Sequence, residues 1–291
     1  MSHREDAIGN GPHQSTAGKA TAMWICRACA VEHEENADGC VICADERQYV
    51  PAAGQQWTTL SELTEAGHRT RVTALEPDLF GITVEPKVGI GQQAHLVRTD
   101  AGNLLWDPTG YLDDHAVQRV RELGEVVGIV ASHPHMFGVQ VEWSRQLGGV
   151  PVLVAAPDLH WVSRPDPAIR PWSGTLEILP GLTLFQPGGH FPGSAIAHWA
   201  SGADGKGVLL AGDTIQTNPD RASVTFLRSY PNRIPLSAAV VERITQATEV
   251  FTFDRLYDNF GGAIVTDARN VVRYSADRYI SWIRGDFDHL T

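Results

Sequence analysis

No apolar run in this chain of 291 residues approaches the roughly 20 residues that a membrane-spanning helix needs. The opening stretch, MSHREDAIGNGPHQSTAGKATA, has no apolar core of the kind a secretory signal carries. Membrane and secreted readings are set aside, and a cytoplasmic location is expected. Positive charge is scarce: 23 Lys and Arg stand against 34 Asp and Glu, a formal net charge of −11. Such a chain repels phosphate, so neither a nucleic-acid nor an anionic-membrane partner is expected. Repeats and low-complexity tracts are missing, and cysteine is limited to four positions. What is present is 43% hydrophobic and 20% charged, the composition of a globular protein with a substantial core. The length suffices for one large domain and a small module.

All four cysteines fall in WICRACAVEHEENADGCVIC: Cys26, Cys29, Cys40 and Cys43, spaced C-x2-C-x10-C-x2-C. Each pair forms a knuckle that can aim two thiolates at one tetrahedral ion. Two disulfides are the competing reading, but nothing indicates an oxidising compartment. A structural Zn²⁺ site is expected, with iron in a rubredoxin-like site as the alternative, because four thiolates suit both metals. About thirty residues bury too little apolar surface to fold unaided, so the metal must supply the missing stability. Led by Trp24, the segment resembles zinc ribbons. From Trp24 to Val50 two arginines face six acidic side chains, which disfavours RNA and leaves protein docking or stabilisation as the module's role. His33 is read as a surface residue, since four thiolates already fill a tetrahedral shell.

Residues 1–22 are small and polar and read as a disordered tail, 23–52 as the four-cysteine module, and 53–291 as the main domain. From Arg71 onward, short apolar runs are set off by Gly, Pro and Asp. Strands are expected at RVTALEP, FGITVEP, AHLVRT, NLLWD, VVGIVAS, PVLVAA, TLEIL, LTLFQ, AIAHWA and GVLLAGD. Helices are expected over Asp113–Gly124, Val139–Leu147, Leu236–Thr248 and Asp267–Arg284. Helices among many strands indicate a layered α/β fold, and the hairpin-like pairs indicate a partly antiparallel sheet.

Three strand ends carry polar residues. His133 and His135 follow VVGIVAS, His190 sits in the glycine-rich turn GGHFPGS, and Asp213 follows the buried strand in LLAGDT. Loops at strand ends are where a rigid scaffold usually presents catalytic groups. Each signal is weak alone; the combination in this order is not.

Taken together, SHPHMFG, GGHFPGS and AGDT resemble the metallo-β-lactamase superfamily, over roughly residues 70–260. The resemblance implies an αββα sandwich of two mixed sheets with metal at their shared edge. It implies that His133, His135, His190 and Asp213 are metal ligands, and that Asp107 in LLWDPTG supports the site. Where the family has Asp and His after the first pair, this chain has Phe137 and Gly138, neither of which can hold metal. The family's final His is also missing, since the one His after Asp213 is His289. A single-metal centre is the consequence, with the general base assigned to Asp213 because the family's water-positioning Asp is gone. Tyr257 and Asp258 are read as a packed aromatic and a turn, and Glu142 as a solvated helix residue. His95, His115, His160 and His198 are read as structural or exposed, and Trp106, Trp143, Trp161 and Trp199 as core.

Three His with an open position is a catalytic zinc pattern, whereas His plus a carboxylate also suits Fe²⁺. The leading expectation is a metal-dependent hydrolase acting on a small-molecule ester, thioester or lactone, with a metal-bound hydroxide attacking the carbonyl. The alternatives are an iron-dependent oxidoreductase and a binding or scaffold protein that has lost turnover.

Overall fold

The computed structural model describes residues 23–291; the tail read over 1–22 lies outside the described residues. The chain opens with a small antiparallel sheet of β1 (Trp24–Cys26), β2 (Glu32–His33) and β3 (Trp57–Thr58), in the order β2-β1-β3. Trp57 and Thr58 pair with Cys26 and Ile25, so the module's sheet takes its third strand from the connector.

The main domain holds two sheets. The first comprises β4 (Arg69–Glu76), β5 (Leu79–Glu85), β6 (Ala94–Thr99), β7 (Gly102–Trp106), β8 (Val126–Val130), β9 (Val152–Ala155) and β10 (Ile169–Trp172), paired in sequence order. It is antiparallel from β4 to β7 and parallel from β7 to β10. The second holds β11 (Thr175–Leu179), β12 (Leu182–Phe185), β13 (Ile196–Trp199) and β14 (Val208–Leu210) as an antiparallel run. Two short ribbons follow, β15 (Gln216–Thr217) with β16 (Val224–Thr225) and β17 (Leu227–Ser229) with β18 (Ile234–Pro235). Strands β19 (Arg255–Tyr257) and β20 (Ala263–Ile264) complete the second sheet, β19 lying parallel to β14.

Period-two alternation explains the layering. In β7, Leu104 and Trp106 enter the core shared by the two sheets, while Leu105 faces the opposite layer. In β14, Val208 and Leu210 face that shared core and Leu209 packs beneath helices Ala238–Glu249 and Ala268–Arg284. Helices Asp114–Glu122 and Gln140–Gln146 cover the first sheet, which completes the αββα sandwich. Side-chain caps start two of these four helices: Asp113 accepts from the Ala116 amide, and Ser237 from that of Val240. Gly285, at φ 81°, ends the longest in a left-handed cap.

The four-cysteine module is fused to this sandwich. Ile25, Val31, Ile42 and the cysteines share one buried cluster with Leu96, Tyr111 and Trp143. Ala30 fits where only glycine leaves room: a Cβ at Gly89 would lie 2.6 Å from the Ala30 amide nitrogen, and one at Gly110 would lie 2.9 Å from its carbonyl oxygen. Buried Glu32 pairs with Arg164 and accepts from the Val141 amide, and the Glu32 amide donates to the Gly138 carbonyl at 2.9 Å.

Candidate metal centre

Strands β7 and β8 of the first sheet and β14 of the second end at one edge of the sandwich, and the residues that follow them meet there. Asp107 follows β7, Ser132 and His133 follow β8, and Asp213 follows β14. His133 is extended (φ −169°), and Pro134 then opens a tight turn over Pro134–Met136 that swings His135 back beside it. The ring centroids of His133 and His135 are 5.2 Å apart, and His190 lies 4.8 and 5.1 Å from them. His190 is delivered by a turn with two left-handed glycines, Gly188 and Gly189, and a Cβ at Gly189 would meet Ile244 at 2.6 Å. Gly212 (φ +52°) is equally constrained: a Cβ there would press on Ser132, 2.7 Å from its Cβ.

His133, His135, His190 and Asp213 each offer one ligand atom, all within 4.8 Å of one another. Asp213 Oδ2 lies 3.4 Å from His133 Nε2 and 3.9 Å from His190 Nε2, and His190 Nε2 lies 3.2 Å from His135 Nδ1. All four side chains are buried. Burial, with the Arg47 charge behind it, pushes the His133 imidazole down to about 3. Burial and the neighbouring His133 do the same to His190, at about 3, and His135 is held well below its ordinary value. The imidazoles are therefore neutral at neutral pH, the form that binds metal. Burial also raises the Asp213 carboxyl to about 6, with His190 opposing the shift.

The groups behind the ring fix the tautomers. Ser132 Oγ donates to Asp107 Oδ2 at 3.1 Å and lies 2.9 Å from His133 Nδ1, so it accepts the Nδ1 proton and leaves the Nε2 lone pair facing the cluster. The Ser132 amide donates to Asp107 Oδ1 at 2.6 Å. Asp107, raised by burial to about 8, anchors this relay and is not a ligand. His190 Nδ1 donates to the Leu227 carbonyl at 3.1 Å, leaving its Nε2 likewise free. His133 Nε2 and Asp213 Oδ1 are buried without a hydrogen-bond partner among the described residues. Buried polar atoms are almost always paired. Lone pairs this close and this bare fit a single cation.

The residues just beyond His135, Phe137 and Gly138, offer no side-chain ligand for a further ion. Phe137 is buried in the cluster that joins module and sandwich. Gly138 (φ +51°) sits so close to the Pro108 and Thr109 carbonyls that a Cβ would lie 2.6 Å from the Thr109 oxygen. Asp258 accepts from the Phe260, Gly262 and Thr217 amides, which spends it on a turn, and Tyr257 packs between the sheets. His289 is exposed, as are His115 and His160; His95 and His198 are buried, the latter 2.8 Å from the Thr252 carbonyl. Glu142 faces Arg164 rather than the centre.

The module's cysteines form a second cluster, with Cys26 Sγ 3.6 Å from Cys43 Sγ and Cys29 Sγ 3.7 Å from Cys40 Sγ. Hydrogen bonds from its three neighbours hold the Cys40 thiol far below its ordinary value. His33, read from sequence as a surface residue, is buried instead. Its ring packs 4.6 Å from Trp57, and its Nε2 lies 3.4 Å from Cys40 Sγ, which makes it a supporting partner of that sulfur. Arg47 entered the sequence reading only as one of the module's two positive charges. Its Nε donates to the His190 carbonyl at 2.7 Å, and its guanidinium lies 4.3 Å over the Phe191 ring, so the module reaches the metal-ligand turn directly. A basic residue four positions after the last cysteine carries no pattern that would have singled it out.

A cavity of about 380 Å³ opens over the centre, lined by His135, His190 and Asp213 from below and by Arg47, Gln48 and Tyr49 of the module at one side. Among the described residues no helix is long and apolar enough to cross a membrane.

A layered αββα sandwich with a His-x-His turn, a later His and a later Asp at one edge defines the metallo-β-lactamase fold, here with a four-cysteine module added. The solved DIM-1 metallo-β-lactamase superposes with a TM-score of 0.56 at 13% identity, covering 74% of this chain and 98% of that one. FIM-1 from Pseudomonas aeruginosa, solved in a mono-zinc form, gives 0.52 at 16% identity over 72% and 96%. The chain belongs to the same family as the uncharacterized protein YmaE of Bacillus subtilis (strain 168), with 42% identity over 271 residues, 91% of this chain and 98% of the relative. No family model matches the chain.

Proposed function

We propose that this protein is a metal-dependent hydrolase with one catalytic ion, acting on an ester, thioester or lactone carbonyl of a small molecule. The observation that carries the reading is the convergence of three neutral imidazoles and one carboxylate, with buried lone pairs left bare. His133, His135 and His190 would hold the ion, and Asp213 would complete or flank its shell. Zn²⁺ bound there supplies a water acidified to a pKa of roughly 7 and a Lewis acid for the carbonyl oxygen. Asp213 presents one oxygen to the histidines and keeps Oδ1 unpaired, so it is placed to take a proton from an attacking water. Asp107 and Ser132 hold the His133 ring in register, and the Leu227 carbonyl does so for His190. The module narrows access from one side, which limits bulk water over the reacting carbonyl. The mono-zinc form of FIM-1 supports a single zinc on this fold. In the four-cysteine module a structural Zn²⁺ suits the tetrahedral thiolate donors.

The test is turnover of generic thioesters and lactones by zinc-loaded protein, beside His133→Ala and with oxygen uptake recorded. Hydrolysis abolished by His133→Ala is the expected result. Equal rates in both proteins would leave a non-catalytic binding protein, and oxygen uptake with stoichiometric iron would make it an oxidoreductase.

A further inference from the structure

We propose that the cavity above the centre recognises a carboxylate on the substrate, and that the four-cysteine module supplies one of the two recognising cations, Arg47, with Lys87 as the other. The inference rests on the hydrolase reading and narrows its substrates to acyl compounds that carry a free anionic end.

The charge around the cavity is the reverse of the chain's. The protein carries a net −11, yet the charged residues lining this cavity are Arg47, Lys87 and Asp213, and Asp213 is committed to the histidines. Lys87, which forms no ion pair among the described residues, and Arg47, whose pairing with Asp45 through Nη1 leaves Nη2 open, remain over a neutral imidazole floor. A cleft lined by one sign of charge concentrates ligands of the other sign.

Arg47 is built for the role rather than dangling beside it. Its Nε is tied to the His190 carbonyl at 2.7 Å and its Nη1 to Asp45 at 2.7 Å, and Phe191 stacks beneath the guanidinium plane. These contacts fix the plane and leave Nη2 without a hydrogen bond among the described residues, on a side chain that lines the cavity. A guanidinium held in place forfeits little conformational entropy when it receives a planar carboxylate. Lys87 is exposed, forms no ion pair among the described residues, and lays its stem over Gly91. Ile90, Phe260, Tyr49 and Tyr230 give the same cavity an apolar wall. A short acyl chain ending in a carboxylate matches both features, and about 380 Å³ suits a molecule of that size.

Two thioesters of one chain length test the proposal on the zinc-loaded full chain, one ending in a free carboxylate and the other in its methyl ester. The carboxylate is expected to be preferred by about tenfold in kcat/KM. Lys87→Glu is expected to lower its kcat/KM about tenfold and spare the methyl ester. Lys206→Ala, at an exposed lysine before the opposite end of β14, is expected to change neither. Calorimetric titration with glutarate reads the site without turnover: Lys87→Glu and Arg47→Lys should both weaken binding. No glutarate binding by the wild type, or binding that both variants leave unchanged, overturns the proposal, even where both thioesters are hydrolysed. Glutarate binding weakened by Lys87→Glu with neither thioester hydrolysed upholds the recognition site and removes thioesters from the hydrolase reading.

Discussion

Gly138→Ala asks whether the backbone itself forbids a second metal ligand after His135. Gly138 is the position at which the metallo-β-lactamase resemblance calls for His, so any side chain there begins with this Cβ. Alanine in the left-handed region costs about 1–2 kcal/mol. The new Cβ would also sit 2.6 Å from the Thr109 oxygen, so the Pro108–Thr109 loop must move. Overpacking of this kind costs about 1–3 kcal/mol. That loop accepts the Val139 amide at 3.1 Å, and the Gly138 carbonyl accepts the Glu32 amide of the module at 2.9 Å; straining these bonds adds about 1 kcal/mol. The expected loss is roughly 3–6 kcal/mol, a fall in Tm of roughly 10 °C for a chain of this size. Thermal and urea unfolding of zinc-loaded wild type and variant, followed by circular dichroism, measure it. A variant within about 1 kcal/mol of wild type would refute the steric argument, because the position would then be open to a ligand.

Ser132→Ala removes the group between Asp107 and His133 while leaving all four candidate ligands, and zinc affinity at the main site should fall about 10–100-fold in a chelator competition. Cys40→Ser should release the module's metal and, through the Arg47 bond to His190, also weaken zinc binding at the main centre, read as zinc released to a chromogenic chelator. Asp158 is fully buried, has no hydrogen-bond partner at Oδ2 among the described residues, and accepts the Gly193 amide at Oδ1; burial lifts its carboxyl to about 6. Because this pKa is raised on folding, the stability it contributes is complete below the ordinary aspartate value and is lost as pH rises through about 6. Asp158→Asn keeps a Gly193 acceptor without the charge, so the stability difference, variant minus wild type, should rise by about 2–3 kcal/mol between pH 4 and 7.5 in urea titrations.

Much of the sandwich was legible because its strands are short apolar runs whose ends are marked by Gly, Pro or Asp. Every run named from the sequence lies on an observed strand, and the four expected helices stand within two residues of their read boundaries. What escaped follows from context. Strand β10 carries Pro171, which an edge strand tolerates but a sequence pattern penalises. β19 and β20 are two or three residues long, too short for any period to show. The three histidines and Asp213 were visible because each follows an apolar strand or sits in a glycine turn. Arg47 and His33 were not, because their roles depend on a docking geometry between module and sandwich that no local pattern encodes. Asp158 was missed for the same reason: its environment is the His190 turn, 35 residues away at Gly193.

Metal content per chain, with element identity, measured on wild type and His190→Ala tests the central claim most directly. Two zinc atoms in the wild type and one in His190→Ala are the predicted result, the survivor belonging to the cysteines. Three atoms in the wild type, or two retained by His190→Ala, would contradict a single ion held by His133, His135, His190 and Asp213.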